Sequence, residues 1–144
     1  MAPLQKRALY SLVIGVACAV ALIVVLVARD VSTFDEDLGF RSIVYALWIG
    51  VPLAYLIVVN LTLRKPGQLD ERDRLIMERA PRIQFLAFLF SLVAWVIGLT
   101  EAFRDQGQVP VVYLTLIMVS TLIAGTIAQS LGILIGYWRG AGRE

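Results

Sequence analysis

The sequence predicts an all-α integral membrane fold: a four-helix bundle of two transmembrane hairpins, with a short amphipathic cytoplasmic helix between spans 2 and 3. Three observations predict it. Hydrophobic residues make up 59% of the 144, against roughly 45–50% in a soluble domain. They are gathered into four long runs instead of alternating with polar residues. The charged residues fall between those runs, and their basic members favour alternate connections. The whole chain, 1–144, reads as a single transmembrane domain.

The first run, about 8–28, follows Lys6 and Arg7. That opening resembles a secretory signal, but a cleaved signal has an apolar region of only about 7–15 residues. This run is long enough to span, so it is expected to remain as the first helix. Its one cysteine, Cys18, excludes an intramolecular disulfide and reads as a small packing residue.

The second run covers about 42–63 and contains Pro52. A proline there removes the hydrogen bond to the Trp48 carbonyl, so Pro52 is a candidate hinge, with Gly50 just before it. The third run, about 83–103, holds Glu101, the one carboxylate within any expected span. An ionisable group in a membrane is a functional candidate. Arg104, three residues on, is placed to pair with it near the outer interface.

The fourth run, about 110–137, is the most patterned. Ser120, Ala124, Ala128, Gly132 and Gly136 recur every four residues. Small residues on one stripe let another helix approach closely. Thr121, Gly125 and Gln129 lie beside that stripe, flanked by Thr126 and Ser130. Ser and Thr can bond back to their own helix, but the Gln129 amide cannot easily do so. The face is therefore expected to be buried against protein: within the chain, in a homodimer, or lining a substrate path.

Ten of the 13 Lys and Arg residues fall on one side of these spans, and Arg29, Arg41 and Arg104 on the other. The richer side is expected to be cytoplasmic, with both chain ends there. Tyr10, Tyr137 and Trp138 would line the inner interface, and Tyr45, Phe103 and Tyr113 the outer one. Outside, Asp35, Glu36 and Asp37 are consecutive and so project in different directions, which suits a solvated loop better than a calcium site.

The cytoplasmic connection, 64–82, reads RKPGQLDERDRLIMERAPR. Pro66-Gly67 ends span 2 and Asp70 is placed as a helix N-cap, with acids in the first turn. Asp70 to Arg74, Arg74 to Glu78 and Glu78 to Arg82 are opposite charges four apart. Leu69, Ile76, Ala80 and Ile83 share a face, so a short amphipathic helix over 69–80 is expected, with Pro81 breaking it from span 3. Its dense and balanced charge makes Asp70, Glu71, Arg72, Asp73, Arg74, Glu78 and Arg79 a candidate docking surface for a cytoplasmic partner.

Leu69-Asp70-Glu71-Arg72-Asp73-Arg74-Leu75-Ile76, then Glu78-Arg79-Ala80 and Arg82-Ile83, resembles the loop of a family of uncharacterised prokaryotic four-helix membrane proteins. In that family a DERD-x-I-x-x-[KR]-A pattern joins the two hairpins. The resemblance spans about fifteen residues and the overall layout, and Pro81 departs from it. It implies a bacterial or archaeal cell membrane, often with a co-encoded DNA-binding regulator, and no established activity.

There is no histidine, so the commonest metal ligand and general base is missing. No metal, cofactor or catalytic residue is assigned and no enzyme is expected. No groove-sized basic patch supports direct nucleic-acid binding. The favoured expectation is a non-enzymatic membrane interaction or regulatory protein whose 69–80 helix docks a partner. The alternative is a small transporter or channel, monomeric or dimeric, using the polar face of span 4.

Overall fold

The computed structural model describes residues 3–29, 31–34, 36–62 and 71–141. They form four α-helices: α1 (Pro3–Ala28), α2 (Leu38–Thr62), α3 (Glu71–Ala102) and α4 (Val112–Ala141), with a 3-10 turn at Val31–Thr33. No strand occurs among the described residues. Each helix is long and apolar enough to cross a membrane, since about 20 residues at about 1.5 Å each cover a hydrocarbon core of about 30 Å. The chain is thus all-α and multi-pass by the length and apolarity of its helices.

The helices overrun the expected spans because their ends are polar yet still helical. α1 begins five residues before position 8, α2 four before 42, and α4 runs four past 137. The largest difference is in α3. Pro81 lies inside this 32-residue helix and does not break it. Proline costs the helix its bond to the Met77 carbonyl, but packing holds the helix on both sides of it. Ile76 lies against Gly136 and Ile83 against Gly132, while Ala80 is buried with Leu4, Ala8 and Ile133. The helix expected to stand apart between spans 2 and 3 is therefore the first turns of α3. Asp70, its expected N-cap, and Leu69 lie outside the described residues.

The core sits between α1, α2 and α4. Leu22, Phe40, Val44, Val51, Val112, Leu116, Val119 and Ile123 are its buried residues, with Phe34 from the α1–α2 connection. α3 is packed chiefly along α4, so three helices form a triangle and the fourth leans on one of them. The apolar residues of α3 away from the seam, among them Phe85, Leu89, Phe90, Val93 and Val96, are exposed. In a lipid solvent such a surface is the ordinary outside of the protein.

Leu4 and Ala8 at the start of α1 pack near Tyr137 at the end of α4, so the start of α1 and the end of α4 lie at the same end of the bundle. That end also carries Arg72, Arg74, Arg79, Arg82 and Arg139, and is called the basic end below. At the opposite end Asp37 caps α2, its Oδ1 accepting from the Gly39 and Phe40 amides at 2.8 and 3.0 Å. Asp37 is also ion-paired with Arg29, so it serves the fold while Glu36 is exposed. The α3–α4 turn closes through Gly107, whose φ of 64° suits a residue without a Cβ.

Candidate functional site

The patterned face of α4 meets α3 at Ser120, Thr121, Gly125, Gly132 and Gly136, while Thr126 lies against Gly15 of α1. A Cβ on Gly125 would fall within the ring of Phe88, one on Gly132 would lie 2.6 Å from Ile83 Cδ1, and one on Gly136 would lie 3.1 Å from Ile76. Small residues are thus what permits the approach. Toward the opposite end the seam turns polar. Trp95 Nε1 donates to Ser120 Oγ at 2.7 Å, and the Ser91 and Thr121 hydroxyls are 3.2 Å apart. Ser120 itself donates to the Leu116 carbonyl at 2.7 Å.

Thr126 and Ser130 bond back to the carbonyls of Leu122 and Thr126, as hydroxyls in lipid-buried helices do. Ala124 and Ala128 are half-buried. Gln129 is half-buried too and makes no hydrogen bond among the described residues. The seam is antiparallel, Phe88 level with Gly125 and Ile83 with Gly132. That register sets Gln84 of α3, a residue the sequence reading passed over, opposite Gln129.

At the basic end, the first turn of α3 is tied to the last turns of α4. Arg72 Nη2 donates to the Tyr137 carbonyl at 2.8 Å, and its guanidinium stacks 5.6 Å from the centre of the Tyr137 ring. The Tyr137 hydroxyl donates to Asp73, which is buried. A cation on C-terminal carbonyls and an acid in a first turn both oppose the helix dipoles favourably. Arg72 and Asp73 are therefore turned inward, which corrects their expected place on an outward docking surface. Tyr137 likewise points into the bundle, while Trp138 and Tyr10 remain exposed.

Of the remaining docking candidates, Glu71, Arg74, Glu78 and Arg79 are exposed, together with Leu75 and Arg82. The expected pairs Arg74–Glu78 and Glu78–Arg82 do not form; among the described residues the ion pairs are Arg29–Asp37 and Arg104–Glu101. The second of these joins two exposed side chains at 3.9 Å. Pro52 faces outward on a helix that continues through it, and Gly50 beside it has open space where a Cβ would be. No cluster of metal-ligating side chains occurs among the described residues.

The sequence reading also missed the direction of Arg7. Counted as a flanking charge, it is instead 8% exposed, within a buried stripe of α1 that runs Leu4, Arg7, Ala8, Ser11. Its neighbour Lys6 is exposed. The three- and four-residue spacing of Leu4, Ala8, Ser11 and Gly15 was the available signal.

The loop of this chain also departs from the resembled pattern in spacing. Two residues, Arg74 and Leu75, separate Asp73 from Ile76 where the pattern has one. No family model matches the chain, and no curated protein or solved structure matches it either.

Proposed function

We propose that this is a non-enzymatic interaction protein of a prokaryotic cell membrane, with both ends cytoplasmic, that presents the start of α3 to a cytoplasmic protein partner such as a regulator. The observation that carries the reading is the continuity of α3 through Pro81, with Arg72 and Asp73 tied to Tyr137. A 32-residue helix is about 48 Å long at about 1.5 Å per residue, well beyond a hydrocarbon core of about 30 Å. Its first turns project, and the tie fixes which side faces out: Arg74, Leu75, Glu78, Arg79 and Arg82. Alternating charges on a stiff, oriented helix suit electrostatic recognition of a protein surface. Acids among the bases suit anionic lipid less well.

The transport alternative rests on the polar face of α4. The packing of Gly125, Gly132 and Gly136 against α3 favours a structural use for that face. The basic bias of the end that carries the start of α1 and the end of α4 supports a cytoplasmic placement.

The test is affinity capture from crosslinked membranes with Arg74, Glu78 and Arg79 reversed in charge. Loss of the captured partner, with Tyr137→Phe weakening capture less severely, supports the reading. An unchanged partner set for the reversed protein overturns it. A reporter at residue 141 that responds only from outside the cell overturns the orientation.

A further inference from the structure

The four helices do not carry their polar ends at the same heights, and the packing contacts let those heights be compared. Gly15 of α1 lies against Ile127 of α4. Ile127 falls between Gly125, which meets Phe88, and Gly132, which meets Ile83, so it stands level with Leu86 of α3. Arg7 of α1, two turns nearer the basic end, is therefore level with Glu78. Arg7 donates to the Tyr55 hydroxyl, which brings that part of α2 to the same height.

At this height the two outer helices disagree. α2 exposes Leu53, Leu56 and Ile57, whereas α3 exposes Arg74, Glu78, Arg79 and Arg82. At the opposite end the disagreement is reversed. The Arg29–Asp37 ion pair sets the start of α2 beside the end of α1, so half-buried Arg41 and exposed Ser42 come a turn further in. There α3 exposes Leu92, Val93 and Val96, and its next charge after Arg82 is Glu101.

Each helix taken alone fits a bilayer. Arg41 to Asn60 on α2 and Arg82 to Glu101 on α3 are both 19 residues apart, with no charge between them. At about 1.5 Å per residue each stretch covers about 28 Å, close to a hydrocarbon core of about 30 Å. The two stretches are equal in length and offset in height. Arginines could reach a distant headgroup layer along their own stems, but Glu78 and Ser42 are too short to do so. We propose that the lipid-contacting surface is an oblique belt, set nearer the basic end on α2 than on α3, and that the bundle sits tilted in the bilayer.

The offset is between five and nine residues at the two ends, or about 10 Å at about 1.5 Å per residue. α2 and α3 pack on different faces of α4, through Leu116, Val119 and Ile123 on one side and Gly125, Gly132 and Gly136 on the other. With neighbouring axes about 8–10 Å apart, α2 and α3 are separated by roughly 18 Å, which gives a tilt of about 30°, within the range of membrane helices. The lean carries the start of α3 out of the bilayer at the basic end and the start of α2 out at the other. It goes beyond the docking reading and does not depend on it, because depth in lipid is measured without a partner.

The full chain with Cys18 replaced by alanine, in phosphatidylcholine–phosphatidylglycerol bilayers, tests the proposal. Nitroxide labels go on two pairs of exposed residues level in the bundle, Ile49 with Phe85 and Ile43 with Phe90. Immersion depth is read from the ratio of oxygen to nickel-chelate collisions. A tilted bundle places Phe85 about 10 Å nearer than Ile49 to the leaflet at the basic end, and Ile43 nearer than Phe90 to the opposite leaflet by a similar amount. Equal depths within each pair overturn the proposal, and so does a difference confined to one pair, which would mean a leaflet thinned on one side. Polarised infrared spectroscopy of the unsubstituted protein in oriented bilayers needs no label. A mean helix inclination of about 30° is expected, and a bundle aligned with the bilayer normal overturns the proposal even where the label depths differ.

Discussion

Gly125 and Gly98 show how differently two glycines in membrane helices can be used. Gly125 sits where a Cβ would enter the Phe88 ring, whereas Gly98 has open space around it. Overpacking a tight contact costs about 1–3 kcal/mol, while replacing an unneeded helical glycine by alanine gains roughly 0.5–1 kcal/mol. Gly125→Ala is therefore expected to lower stability by the first amount and Gly98→Ala to raise it by the second, measured by unfolding in mixed micelles. Equal effects would contradict the seam. The sequence marked Gly132 and Gly136 on a stripe of small residues for close approach, with Gly125 beside it, and the structure supplies their neighbours Ile83, Ile76 and Phe88. Those neighbours were not legible, because a small-residue stripe says that something approaches and not what. Arg7 illustrates the same gap. Counting bases on each side of a membrane assigns a charge to an end of the helix, and direction around the helix is a separate question.

At the scale of elements, the four spans were legible because bilayer thickness imposes a minimum apolar length on each. Their ends were not, because a polar turn stays helical when its amides are capped or packed. α2 begins at Leu38, within reach of the Asp37 cap. α3 begins at Glu71, tied by Arg72 and Asp73. Pro81 was read by its local rule, as a break, and tertiary packing from α4 and α1 overrode it. The proline still lacks an amide proton and still crowds the Met77 carbonyl. Since the helix is already continuous there, Pro81→Ala is expected to stabilise the protein by about 1–3 kcal/mol. Thermal unfolding of the two proteins would register the difference, and a destabilised alanine variant would mean that the proline's shape is required.

For the whole molecule, the arrangement is a triangle of α1, α2 and α4 with α3 against α4, and this can be read out covalently. In a protein with Cys18 replaced by alanine, cysteines at Ile83 and Gly132 are expected to join on oxidation. The Ile83 Cβ lies 3.5 Å from the position of a Cβ at residue 132, within the range of about 3.5–4.5 Å that a disulfide bridges. Loss of two hydrogens in the intact mass, without dimer formation, is the expected product. A crosslinked dimer instead would place the seam between copies. Up-and-down order was implied by four spans in sequence, but which helix would be central was not, since all four runs are apolar enough to be core or periphery.

That centrality falls to α4, the last of the four to leave the ribosome. Until it arrives, α1 and α2 have only each other, and α3 waits in the bilayer with its seam uncovered. Assembly therefore cannot finish during synthesis of the first three spans. A chain halted before Val112 would leave α3 orphaned in lipid, a natural target for membrane quality-control proteases.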